Sequence, residues 1–182
     1  MIEVRWHGRG GQGAVTSVEL LAVSAIAAGK YAQGFPSFGP ERRGAPVAAF
    51  TRVDSQKINK RSGIYKPDVV LVLDASLIGL VNVTEGLKPE GKLIVNTHKT
   101  PDEIRKQLDF KGTVATVDGT GIARKEMGVP IANTTMIGAL LKVTGMLELD
   151  AMTEAVEHRF GRIAQKNLTA MKRAYDEIKI SN

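Results

Sequence analysis

The sequence predicts an α/β domain with a mostly parallel sheet and helices on both faces. Three features lead there: a strand, turn and helix at the start, short and nearly all-apolar runs in the middle, and a helix-rich end. At 182 residues and 43% hydrophobic content the chain is long enough for one well-buried core and short for two ordinary domains. Residues 1–182 are therefore expected to form a single domain.

IEVRW (Ile2 to Trp6) alternates apolar and polar residues as a strand does, and AVTSVELLAVSAIAAGK (Ala14 to Lys30) reads as a helix stopped by Gly29. Glu19 is the sole charge inside that helix, and small or apolar residues cover nearly all its sides. Such a helix is buried all round, within its own domain or under a neighbouring chain. A long connection, YAQGFPSFGPERRGAPV (Tyr31 to Val47), leads to a second strand in PVAAFTRV. DVVLVLD (Asp68 to Asp74) and KLIVN (Lys92 to Asn96) have the composition of central parallel strands covered on both faces, and TVATVD (Thr113 to Asp118) is another strand. Helices are expected at Ser76 to Val81, Pro101 to Leu108, Thr134 to Val143, Asp150 to Phe160 and Arg162 to Ile180. In the last of these Ala164, Leu168, Met171, Tyr175 and Ile178 form one stripe that packs on the sheet. The pattern is Rossmann-like, with a helix-rich C-terminus.

Composition excludes several functions. The chain has no cysteine, which removes disulfides, thiolate metal sites, cluster ligation and cysteine nucleophiles. His7, His98 and His158 lie far apart with no metal-binding motif around them, so no metal site is expected. The net charge of +6 favours an acidic partner or anionic ligand. Nucleic acid fits poorly, because the basic residues form no block and aromatics make up 5% of the chain. No apolar run approaches the roughly 20 residues that cross a bilayer, and MIEVRW does not read as an export signal. The expectation is a soluble, cytoplasmic protein with no membrane contact.

WHGRGGQG carries the pattern Gly8-x-Gly10-x-x-Gly13 between a strand and a helix, the context of a phosphate-binding turn. Gly8, Gly10, Gly11 and Gly13 allow positive φ and close approach of a ligand, Arg9 adds charge, and Gln12 completes the loop. A dinucleotide site also needs an acidic residue for the ribose about 20 residues after the glycines, and AGKYAQGFPSFG has none. A free-standing nucleotide-binding module would need that acid or a Walker Lys-Ser/Thr pair, and neither is in the sequence. Glycines that only shape the turn are the competing reading. The connection after the first helix concentrates Tyr31, Phe35 and Phe38 beside Arg42 and Arg43, a composition suited to an interface or a phosphate clamp. Asn133, in ANTT, is expected to cap a helix start and is a third candidate.

HGRGGQGAVTSVELLA followed by YAQGFPSFGPERRGAPVAAFTRV resembles the gamma subunit of the 2-oxoacid:ferredoxin oxidoreductases, most of all the pyruvate members. The similarity continues through IYKPDVVLVLDASL, VTEGLKPEGKLIVNT and VPIANTTMIGALLKVTG. The resemblance implies a complex that interconverts pyruvate plus coenzyme A with acetyl-CoA plus CO2, using ferredoxin as electron carrier. Thiamine diphosphate, Mg and [4Fe-4S] clusters are then expected on alpha, beta and delta chains and none on this one. The residues implied to meet coenzyme A are Gly8, Arg9, Gly10, Gly11, Gln12, Gly13, Arg42, Arg43 and Asn133; Arg42 and Arg43 have a partner chain as their other implied contact. No catalytic residue falls to this chain, because nothing in it suits a nucleophile or proton-transfer base for that chemistry. A related enzyme acting on 2-oxoisovalerate, a purely structural assembly subunit, and the nucleotide-binding module stand as alternatives.

Overall fold

The computed structural model describes residues 1–37 and 43–181. Seven strands form one mixed sheet: β1 (Ile2–Arg9), β2 (Tyr31–Pro36), β3 (Pro46–Asp54), β4 (Val69–Val72), β5 (Lys92–Asn96), β6 (Thr113–Val117) and β7 (Lys179–Ser181). Their order is β2-β3-β1-β4-β5-β6-β7. β1, β4, β5 and β6 run parallel, and antiparallel strands close both sides. The helices are α1 (Ala14–Ala27), α2 (Pro101–Leu108), α3 (Gly119–Met127), α4 (Asn133–Thr144), α5 (Thr153–Phe160) and α6 (Ala164–Glu177).

The apolar runs become the central strands for the expected reason. Every residue of β4 is buried, and its side chains alternate between two cores. Val69 and Leu71 join Trp6, Ile94, Met136 and Leu140 on one face, while Val70 and Val72 join Leu77, Leu93 and Ile104 on the other. The first face is covered by α1, α3, α4, α5 and α6, and the second mainly by α2 and irregular segments. α4 and α6 cross closely enough that a Cβ on Gly138 would lie 1.9 Å from the Met171 carbonyl oxygen, so that position admits only glycine.

Several elements differ from the sequence reading. The long connection at Tyr31 to Val47 contains β2, which folds back on β3 as an antiparallel hairpin. The helix expected at Ser76 to Val81 is a single 3-10 turn over Ala75–Leu77. α3 falls where no helix was expected, because Gly119 and Gly121 weaken the local propensity while Asp118 caps the start through the Gly121 N–H at 2.8 Å. The helical reading of Arg162 to Ile180 breaks twice. A 3-10 turn occupies Gly161–Ile163, and beyond Glu177 the chain extends through Ile178 into β7. The buried stripe of α6 is accordingly rotated to Ala164, Asn167, Ala170, Met171 and Ala174, with Leu168 and Tyr175 at its margin.

The β1–β3 ladder places Glu3 opposite Arg52. Arg52 is 1% exposed; its Nε donates to Glu3 Oε1 at 2.8 Å, and its other nitrogens donate to Gln33 Oε1 and to the carbonyls of Ser62 and Gly63. The guanidinium carbon also stands 5.4 Å from the Phe35 ring centroid. One buried cation thus ties β1, β2, β3 and the following loop together. Arg52→Met is expected to destabilise the fold by roughly 3–5 kcal/mol, because Glu3 would stay buried without its main partner. Urea denaturation reads the loss, and the double change Glu3→Gln/Arg52→Met should recover most of it. Equal losses in the single and double variants would contradict this account.

Candidate functional site

The carboxyl ends of β1, β4, β5 and β6 open on one edge of the sheet, where open α/β folds bind ligands. The glycine loop leaves β1 at this edge. The Gly10 N–H donates to Ala45 O at 2.9 Å, and the Gly44 N–H donates to Gly10 O at 3.0 Å, which seats residues 43–45 beside the loop. Gly11 and Gly13 adopt φ of 92° and 80°, in the left-handed region that other residues rarely enter. At Gly13 close approach matters as well: a Cβ would lie 2.3 Å from Asn133 Nδ2. The first turns of α1 and α4 therefore meet across these two residues.

A polar network fixes the turn. Arg9 Nε donates to Asp74 Oδ2 at 3.1 Å, its two terminal nitrogens donate to Gly44 O and Ser76 Oγ, and Gln12 Nε2 donates to the same Asp74 oxygen at 2.9 Å. Gln12 Oε1 in turn accepts the Arg9 backbone N–H at 2.7 Å. Burial opposes ionisation of Asp74, but hydrogen bonds from Ser76 and Gln12 and the charge of Arg9 outweigh it and lower its pKa. The carboxylate is held charged as the hub of the loop.

A second hub is Asn96 at the end of β5. Its Nδ2 donates to Leu73 O and Thr120 Oγ1, both at 2.8 Å, and its Oδ1 accepts the Thr120 N–H at 3.1 Å. Gly11, Gln12, Leu73, Asn96, Thr120 and Asn133 line a cavity of about 110 Å³. It adjoins a cleft of about 420 Å³ that shares Gln12, Asn96 and Thr120 and is bordered by Asp74, Ser76, His98 and Asp118. Asp74, Asn96 and Thr120 were not anticipated as site residues. The available signal was positional: Asp74 and Asn96 are the polar residues that end all-apolar strands, and such positions fall at the carboxyl edge.

The structure brings Gly8, Arg9, Gly10, Gly11, Gln12, Gly13, Arg43 and Asn133 to this edge. Arg43 is exposed, and its Cγ lies 3.9 Å from where a Gly11 Cβ would be. Arg42 and Phe38 lie outside the described residues. Asn133 does not cap α4 as expected; Ala132 holds the N-cap position and Asn133 is the first helical residue, its Oδ1 accepting the Thr134 N–H at 2.8 Å. The reason is geometric, since Asn133 is packed against Gly13. β3, antiparallel beside β1, ends at the opposite edge, where Asp54 meets the N-terminus at 3.4 Å. Among the described residues no group of three or more His, Cys, Asp or Glu could hold a metal ion.

These features fit a subunit that presents a rigid binding edge. A model of the pyruvate ferredoxin/flavodoxin oxidoreductase family matches residues 3–177. The chain belongs to that family. It is 51% identical over 179 residues to the "Pyruvate/ketoisovalerate oxidoreductases common subunit gamma" of Thermococcus kodakarensis, covering 97% of each chain. The crystal structure of pyruvate oxidoreductase subunit PORC from Thermotoga maritima superposes with a TM-score of 0.89 at 40% identity, over 100% of this chain and 98% of that one. A 2-oxoglutarate:ferredoxin oxidoreductase from Magnetococcus marinus, solved with 2-oxoglutarate, coenzyme A and succinyl-CoA, shares the fold at a TM-score of 0.73 and 20% identity, over 97% of this chain and 30% of that one. Within the family this chain is a gamma subunit of a pyruvate:ferredoxin oxidoreductase. No helix among the described residues is long and apolar enough to cross a membrane.

On β1, His7 immediately precedes the loop. Its Nε2 accepts from Arg5 Nε at 3.0 Å, and burial, aided by the Arg5 charge, pushes its pKa down from 6.5 to about 4. The unfolded chain then takes up a proton near pH 6.5 and the folded chain only near pH 4. Stability should fall as the pH drops between those values, by up to about 3 kcal/mol, and be insensitive to His7 above them. His7→Gln should flatten this part of the pH profile in urea denaturation; an unchanged profile would assign the loss to other groups.

Proposed function

We propose that this gamma subunit holds the phosphate-bearing end of coenzyme A at the glycine edge, while the redox and carbon chemistry proceeds on partner chains. The observation that carries the reading is the contrast between helix starts. α1, α4 and α6 begin with no side-chain cap and no acid in their first turns, whereas Thr100 and Glu103 form a capping box on α2 and Asp118 caps α3; of the three, α1 and α4 start against each other at the glycine loop. The positive ends of two helices converge where Gly13 meets Asn133, although the Thr134 N–H already donates to Asn133 Oδ1. That arrangement suits an anion.

The candidate residues divide by role. Arg9 and Gln12 are committed to Asp74, Ser76 and Gly44, so they keep the turn in shape. Contact with phosphate then falls to the backbone N–H groups of Gly11 and Gly13, since those of Gly10 and Gln12 donate to Ala45 O and Arg9 O, to the exposed Arg43, and to Asn133; Arg42 belongs to the same group by sequence. Arginine stays charged, so these contacts position the ligand and move no proton. Thiamine diphosphate with Mg and the [4Fe-4S] clusters would supply the carbon and electron-transfer chemistry, and this chain, having no cysteine, offers clusters no thiolate. They belong on the alpha, beta and delta chains, with ferredoxin acting on the whole complex in the cytoplasm. A common gamma subunit named for both pyruvate and ketoisovalerate enzymes fits a division in which the thiamine-bearing chains choose the 2-oxoacid.

Arg43→Ala in the intact complex should weaken coenzyme A binding about tenfold or more, the loss of one charge-assisted contact, with subunit composition unchanged. Isothermal titration with coenzyme A measures it. Unchanged affinity would overturn the clamp, and loss of a partner chain would reassign Arg43 to the assembly.

A further inference from the structure

Away from the glycine edge, α1 and α5 enclose a groove of about 480 Å³. On α1 the residues Thr16, Glu19, Leu20, Val23, Ser24 and Ala27 follow helical spacing, so a single face of the helix lines it. Ala151 and Ala155 supply the opposite wall, and these small side chains admit close approach of another backbone. Val23 and Ile26 are 56% and 57% exposed, which leaves two aliphatic side chains on the outer face of α1 in water.

The charges around the groove are unlike those of the chain as a whole. Glu19, Glu154 and Glu157 stand at it against one guanidinium, Arg159, and all four are exposed. Among the described residues none of the three carboxylates has an ion-pair partner. A chain of net charge +6 therefore carries an acidic rim around an apolar floor.

Resting on the assignment of this chain to a multi-subunit oxidoreductase, we infer that the α1–α5 groove is the seat of a partner-subunit helix whose apolar stripe is flanked by Lys or Arg. An apolar floor and small residues suit a third helix packed between two, and the acidic rim selects a basic flank. A second copy of this chain is the poorer occupant, because a two-fold contact would bring like carboxylates together.

The test uses the intact complex, purified through a tag on this chain, with the photo-crosslinking residue p-benzoylphenylalanine placed at Val23 and, as a control, at the exposed Lys106 of α2. Irradiation should join position 23, and not position 106, to a helical peptide of a different chain bearing Lys or Arg beside its apolar residues. Crosslinking to another copy of this chain, or no crosslink in an intact complex, would overturn the inference. In parallel, Glu154→Lys/Glu157→Lys should lower retention of partner chains about tenfold at low salt, with the difference from the unaltered complex shrinking as salt is raised. Retention equal to the unaltered complex at low salt would also overturn it. If the unaltered chain purifies alone, the assembly reading itself fails and takes this inference with it.

Discussion

Because Gly13 lacks a Cβ, the first turn of α1 can stand directly against Asn133 at the start of α4; a methyl group there would sit 2.3 Å from the Asn133 amide nitrogen. The rest of the edge is arranged around this contact. Asp74 collects Arg9, Gln12 and Ser76 and so fixes the loop from the β4 side, while Asn96 ties Leu73 to Thr120 and sets the start of α3 beside it. The turn is held by side chains from several strand ends, which is how a backbone made of flexible residues acquires a single shape.

This arrangement separates shaping from contact. The formal cation closest to the glycines in sequence, Arg9, is neutralised by Asp74 and spent on the scaffold. In the proposed reading, attraction for an anion is left to backbone dipoles and to Arg43, which lies beside Gly10 and Gly11. Under the proposed function, a subunit to which no catalytic residue is assigned would govern rate by fixing where a co-substrate sits. The apolar α1–α5 groove lies on other elements and is suited to a different task, holding the subunit in its assembly.

Much of this was legible in the sequence, and the exceptions share a cause. β4, β5 and β6 were readable because strands covered on both faces must be apolar throughout, and the glycine loop was readable because it falls between a strand and a helix. β2 reads as loop because its residues are at most partly buried and include Gly34 and Pro36, so neither alternation nor hydrophobicity marks it. β7 has three residues and begins with Lys179; only its pairing with β6 makes it a strand. Asp74 and Asn96 act through partners distant in the chain, 62 and 65 residues away for Asp74 and 23 and 24 for Asn96, and periodicity carries no information about such contacts. Asn133 was placed at the right edge with the wrong helical position, since its packing against Gly13 is a tertiary fact.

The most direct measurement is amide hydrogen exchange on the intact complex with and without coenzyme A. If the two helix starts receive its phosphates, exchange should slow at the N–H groups of Gly11, of Gly13 to Thr16, and of Asn133 and Thr135 when coenzyme A is added, with the control helix α2 unchanged. Protection confined to partner chains, with these two segments unaltered at saturating coenzyme A, would contradict the account and leave the glycine loop a structural turn.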